Sequence, residues 1–155
     1  MTRIVRAASE HIGAVLEIER AAFSQPWTYN SLLEETQAPQ SRFMLAADGA
    51  RVLGYAVTRY YPDWAEILRI AVAEGSRGRG VGSMLLGDAQ ARACESGASR
   101  VLLEARADNA AALEFYRNRG FITVGLRAGY YASPGGDAVL MEKSIAPRRG
   151  DIGDW

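Results

Sequence analysis

The sequence predicts a single-domain α/β (α+β) fold with a mixed central sheet of about seven strands flanked by about four helices. Three observations predict it. Strand-like and helix-like stretches follow one another in the order β-α-α-β-β-β-α-β-α-β-β, which mixes hairpins with helical crossovers. The chain of 155 residues suits one domain with a sizeable core. A glycine-rich loop at 77–83 joins an apolar strand to an apolar, helix-periodic run.

"TRIVRAA" (2–8) alternates as a strand does. Ser9 is a candidate helix cap, and Ile12, Val15, Leu16, Ile18 and Phe23 then form a stripe at rough helical spacing. Pro26 breaks this helix, and Thr28 starts a short second one through Leu32 and Leu33 to about Gln37. "SRFMLAA" and "DGARVLGYAVTRYY" read as two strands joined at Asp48-Gly49, a hairpin signal. "WAEILRIAV" (64–72) is the next strand. After the glycine loop, Val81, Met84, Leu85, Ala89 and Ala93 fall at helical spacing, and Gly97 ends that helix. "RVLLEA" (100–105) is a short strand, and "NAAALEFYRNRG" (109–120) is a helix closed by Gly120. "FITVGL" and "AVLMEKSI" (138–145) are the last strands, with a polar, glycine-rich loop expected between them. We expect a domain over 1–146 and a tail over 147–155.

Apolar residues make up 48% and charged residues 23%, an ordinary globular balance. Eighteen basic residues offset eighteen acidic ones. Zero net charge argues against bulk nucleic-acid or membrane binding. The single cysteine, Cys94, excludes an internal disulfide. It reads as a small buried hydrophobe inside a helix rather than a nucleophile. His11 has no cysteine or histidine partner in the sequence pattern, so no metal is expected. The start of the chain lacks a signal-peptide pattern, and no apolar run approaches the roughly 18–20 residues of a membrane span. The expectation is a cytoplasmic protein, a monomer or weak homodimer.

"RGRGVGS" at 77–83 asks for an anionic ligand. A helix N-terminus presents unpaired N–H groups and the positive end of the helix dipole. Glycines let a phosphate approach those groups. A Walker loop is excluded, because there is no Gly-Lys-Ser/Thr. A Rossmann fingerprint is only half satisfied, because position 83 is Ser. Without further context, a surface turn explains the glycines equally well.

The spacing R-x-x-G-x-G at Arg77, Gly80 and Gly82 resembles the pyrophosphate loop of the GNAT family of N-acetyltransferases. "LEARADNAAALEFYRNRGF" (103–121) resembles that family's later motif. "FSQPWT" (23–28), "RIAV" (69–72) and the tyrosine pair at 130–131 are similar to RimI-type ribosomal-protein N-terminal-alanine acetyltransferases within it. The resemblance covers nearly the whole chain and implies a GNAT fold that uses acetyl-CoA. It implies that Ile70, Ala71 and Val72 lie along the pantetheine arm. Gly78, Gly80, Val81, Gly82 and Ser83 would offer N–H groups to the pyrophosphate, with Arg77 and Arg79 adding charge. Asn109 would hold the far side of the cofactor. Glu104 would be the general base and Tyr116 the general acid. Pro26, Trp27, Tyr130 and Tyr131 would wall the acceptor site. Gly129 departs from the pattern, standing where RimI-type chains commonly have Asn.

The chemistry can use these residue types. An α-amine has an ordinary pKa of about 7.7–8.0, against about 10.4 for lysine. One carboxylate is then a sufficient base near neutral pH, whereas lysine costs roughly 3 kcal/mol more to deprotonate. A leaving thiolate near 8.5 can be met by a phenol near 10. Each residue also has a plainer reading: Glu104 as a strand-end carboxylate, Tyr116 as helix–sheet packing, Trp27, Tyr130 and Tyr131 as core. The favoured substrate is a protein N-terminus, specifically the N-terminal alanine of a small-subunit ribosomal protein. The alternatives are acetylation of a small amine such as a polyamine or aminoglycoside, and an acyl-CoA-binding regulatory module without turnover.

Overall fold

A computed structural model describes residues 1–132 and 135–146. The expected tail, 147–155, lies outside the described residues. Strand β1 (Thr2–Arg6) leads through a 3-10 turn (Ser9–His11) into α1 (Ile12–Ala22) and then α2 (Tyr29–Glu35). Strands β2 (Ser41–Asp48), β3 (Arg51–Tyr60) and β4 (Trp64–Val72) form a meander. Helix α3 (Val81–Glu95), β5 (Arg100–Arg106), α4 (Ala110–Arg117), β6 (Ile122–Ala132) and β7 (Gly135–Ser144) complete the order read from the sequence.

The seven strands make one sheet in the order β1-β2-β3-β4-β5-β7-β6. Helices cover both faces. Ile12, Val15 and Ile18 of α1 and Leu32 of α2 pack on Phe43, Leu45, Tyr55 and Val57. On the other face Leu86 and Ala93 of α3 and Leu113 and Tyr116 of α4 pack on Ile67, Val101, Leu103 and Met141. Two bidentate ion pairs tie helices to strands: Arg59 to the buried Glu35, and Arg42 to Asp88.

All neighbouring strands are antiparallel except β4 and β5. That parallel ladder runs only from Trp64↔Arg100 to Ile67↔Leu103. Beyond it, β4 continues on β3 alone and β5 on β7 alone. The sheet therefore splits at its middle, and the backbone of β4 past Ile67 faces the gap. One more irregularity lies there. Thr58 pairs with Ile67 and Val57 with Arg69, so Leu68 is an extra residue in β4. Such a bulge re-aims the side chains that follow it.

Three expectations need correction. Ser9 does not cap α1. It lies inside the 3-10 turn, and the Ala8 N–H is satisfied by His11 Nδ1 at 2.9 Å. The first strand stops at Arg6 rather than running through 8. The polar stretch between the last two strands is largely strand: Arg127 pairs with Ala138 and Tyr131 with Gly136. Its register shifts between Arg127 and Tyr131, where Gly129 has φ +64°. Gly129 serves a bulge there, while Gly135 and Gly136 pair with Ala132 and Tyr131.

Candidate active site

The gap between the diverging strands opens into a cleft of about 740 Å³. Ile67 to Ile70 of β4 and Leu103 to Arg106 of β5 form its sides. Glu104 is the first residue of β5 past the parallel ladder. Its carboxylate lines the cleft, is 23% exposed, and lies 3.5 Å from the Arg127 guanidinium.

Tyr116 reaches the same cleft from α4. Its ring is buried edge-on to Phe115 and Phe121, with centroids 5.3 and 5.6 Å away. Burial raises the pKa of its hydroxyl well above the ordinary phenol value. Packing residue and cleft residue are thus one side chain. Helix α4 is placed by Asn109, whose Oδ1 accepts the Ala112 N–H at 3.1 Å. Asn109 also lines the cleft.

Aromatic residues wall one end. Trp27 comes from the α1–α2 connection, and Tyr130 and Tyr131 come from β6, their rings edge-to-face at 5.1 Å. Arg106 lies over the Tyr131 ring and is held by both oxygens of Asp108. Burial, and then the charge of Glu104, raise the Tyr131 pKa. Pro26 is exposed and is not among the lining residues.

Past the cleft, β4 runs on to the glycine loop, whose residues are not among those lining the cleft. Ile70 lines the cleft, and Ala71 and Val72 carry the strand onward. Helix α3 begins at Gly80, whose φ of +80° suits glycine, and Gly78 shares that conformation at +77°. No side chain caps α3, and its first internal bond runs from the Met84 N–H to the Gly80 carbonyl. The N–H groups of Val81, Gly82 and Ser83 therefore point out of the helix end, as an anion site requires. Gly82 has a different constraint: a Cβ there would meet the Phe115 ring at 3.3 Å. The Arg77 and Arg79 side chains are exposed beside this end.

Sequence reasoning missed several charged groups, Arg106 and Arg127 among them. Glu66 lines the cleft, and burial first, then Glu104, raise its pKa. Arg69 lines it too, paired with the fully buried Glu19. Arg119 donates to Ser83 Oγ at 2.6 Å across the Phe115 ring, bringing a third guanidinium to the start of α3. Only its position just before the closing Gly120-Phe121 hinted at the last. Cys94 is half-buried in α3, away from the cleft. Among the described residues no cluster of His, Cys, Asp and Glu could hold a metal ion.

The arrangement suits a transfer reaction. It brings a carboxylate and a buried hydroxyl to one cleft, beside an open strand edge that runs on toward an uncapped helix end. The sequence profile of the acetyltransferase (GNAT) family matches residues 12–121. The chain is 30% identical over 148 residues to a ribosomal protein bS18-alanine N-acetyltransferase from Salmonella typhimurium, covering 94% of this chain and 99% of that protein. It is 36% identical over 134 residues to the N-alpha-acetyltransferase RimI of Mycobacterium tuberculosis, covering 84% and 83%. The crystal structure of the ribosomal-protein alanine N-acetyltransferase from Escherichia coli superposes with a TM-score of 0.87 at 26% identity, over 100% of both chains. The chain belongs to the GNAT family and is an acetyl-CoA-dependent N-acetyltransferase.

Proposed function

We propose that this enzyme acetylates the N-terminal α-amine of a protein that begins with a small residue, and that its substrate is a ribosomal protein with an N-terminal alanine. The single observation that carries the reading is the placing of Glu104 and Tyr116 in one cleft whose end is walled by Trp27, Tyr130 and Tyr131. The names of the Salmonella and Escherichia relatives, which act on a ribosomal protein's alanine, support the same substrate.

The residues fit acetyl-CoA. The N–H groups of Val81 to Ser83 face outward from an uncapped helix, with Arg77, Arg79 and Arg119 as counter-charges. Past Ile67, β4 has no ladder partner on its β5 side, so the strand over Ile70, Ala71 and Val72 offers its outward main-chain groups to the pantetheine amides, the Val72 carbonyl also accepting from Arg77 Nε at 3.4 Å. Acetyl-CoA supplies an activated acyl carbon and a thiolate leaving group. Glu104 accepts the proton of the α-amine, directly or through a water, and passes it to solvent. Tyr116, kept neutral by burial, donates a hydrogen bond to the departing sulfur. The aromatic wall holds an extended N-terminus by apolar contact and leaves its main chain free to bond.

The test uses two peptides, one with a free N-terminal alanine and one N-terminally blocked but carrying lysine. The alanine peptide is the expected substrate, and preference for the blocked peptide rejects the assignment. Glu104→Gln lowers the rate by about 10²–10⁴-fold near neutral pH and regains part of it as pH rises above about 8, where the amine is already free. Wild-type activity of Glu104→Gln at pH 7 returns Glu104 to the strand-end carboxylates. Mass spectrometry of ribosomal proteins from cells with and without the gene identifies the cellular substrate.

A further inference from the structure

The bulge at Leu68 sends Arg69 to the α1 side of the sheet, in register with Val57. There its Nη2 lies 3.0 Å from the carboxylate of Glu19, whose side chain is 0% exposed. The same carboxylate accepts the Tyr55 hydroxyl and, at 2.8 Å, the backbone N–H of Trp27. Arg69 donates a further bond to the Gln25 carbonyl at 3.1 Å. Its guanidinium lies over two rings, 4.0 Å from the centroid of Phe23 and 4.9 Å from that of Trp27. One pair, its carboxylate fully buried and its guanidinium 17% exposed at the cleft, thus grips the α1–α2 connection at Phe23, Gln25 and Trp27.

A buried ion pair is a poor stabiliser, because desolvation offsets its Coulombic gain. Stability alone therefore gives little reason for this one. A connection between helices is by default mobile, yet this one forms part of the cleft wall. We propose that Glu19 and Arg69 are positioning residues for the acceptor, fixing the Phe23–Trp27 wall and thereby setting the preference for a small first residue. The proposal rests on the reading that the substrate is a protein N-terminus. Both residues act through the wall: misplacing a substrate by about 1 Å can cost about 10²-fold in rate.

The test compares the wild type with Arg69→Lys, Arg69→Met and the double variant Glu19→Gln/Arg69→Met. The double variant leaves no lone buried charge and keeps the fold measurable by circular dichroism if Arg69→Met alone fails to fold. Kinetics are run on peptides beginning with alanine and with leucine, and amide hydrogen exchange is followed over 23–28. In the double variant, kcat/KM for the alanine peptide should fall by about 10²-fold, mainly through kcat. The alanine-over-leucine preference should shrink, exchange over 23–28 should quicken, and KM for acetyl-CoA should stay put. Arg69→Lys, which keeps the charge but not the fork, should recover part of the loss. A folded double variant with the wild-type preference, including one that loses equally on both peptides, overturns the proposal. If wild-type enzyme acetylates neither peptide, the substrate reading fails by itself. Exchange then judges the clamp alone: faster exchange over 23–28 upholds the grip, and unchanged exchange overturns it.

Discussion

Tyr116 shows how one residue can serve the core and the cleft together. Its ring is packed against Phe115 and Phe121, and that burial lifts the hydroxyl pKa. A phenol above its ordinary value of about 10 gives its proton reluctantly to a thiolate near 8.5. A hydrogen bond to the developing charge needs no complete transfer, so the raised pKa favours that role. Tyr116→Phe keeps the ring and should lower kcat by about 10²–10⁴-fold with little change in affinity for coenzyme A. Steady-state kinetics paired with calorimetry separates the two, and an unchanged kcat makes Tyr116 a packing residue only. That Glu104 and Tyr116 lie in one cleft was legible because "LEARADNAAALEFY" carries both in one short stretch. The pairing of Glu19 and Arg69 was not. Each reads locally as an ordinary charge, and their meaning arises only when a helix and a bulged strand meet. Arg119 and Ser83 are likewise 36 residues apart.

Helix α3 separates the two uses of glycine within one element. Gly80 sits at its start with φ +80° and open space around a would-be Cβ. Gly87 lies in its middle, exposed, with nothing within 4 Å. Gly80→Ala forces an L residue into the left-handed region, so stability should drop by about 1–2 kcal/mol. It should also weaken coenzyme A binding, because the outward N–H groups follow that turn. Gly87→Ala should raise stability by about 0.5–1 kcal/mol and leave binding alone. Urea unfolding and calorimetry on both variants check the contrast, and equal behaviour of the two would show that the helix start has no special backbone requirement. Element boundaries were legible where a local bond sets them. Thr28 caps α2 through the Ser31 N–H, as its position before an apolar helix suggests. The β6–β7 hairpin was not legible, because "RAGYYASPGGD" has the composition of a loop. Pairing with β7 overrides that composition, and the bulge absorbs Gly129, whose N–H bonds Asp137 at 2.8 Å.

Across the whole molecule two buried tyrosines and one half-buried tyrosine set a limit on the alkaline side. Tyr55, Tyr60 and Tyr116 all have raised pKa values, with burial the largest cause in each, and Tyr60 is pushed up to about 12. Tyr55 is held further by the neighbouring Glu19 carboxylate. Below about pH 10 these phenols are protonated in both the folded and the unfolded chain, so they add no pH dependence. Above that value the unfolded chain loses the protons and the folded chain keeps them. Stability then falls with rising pH, since the unfolded state binds fewer protons. Each tyrosine contributes at most about 1.4 kcal/mol per pH unit, so the three together give about 4. A domain with roughly 5–15 kcal/mol in hand should lose much of it between about pH 10 and 12. Urea unfolding from pH 8 to about 11.5, with tyrosinate absorbance followed in parallel, measures the slope. Absorbance from Tyr55, Tyr60 and Tyr116 should appear together with unfolding, not before it. Tyr60→Phe should flatten the slope by roughly a third, because one of the three linked protons is gone. A stability curve flat to pH 11.5 would mean that these hydroxyls ionise in the folded protein, and that the cores on both faces of the sheet admit charge.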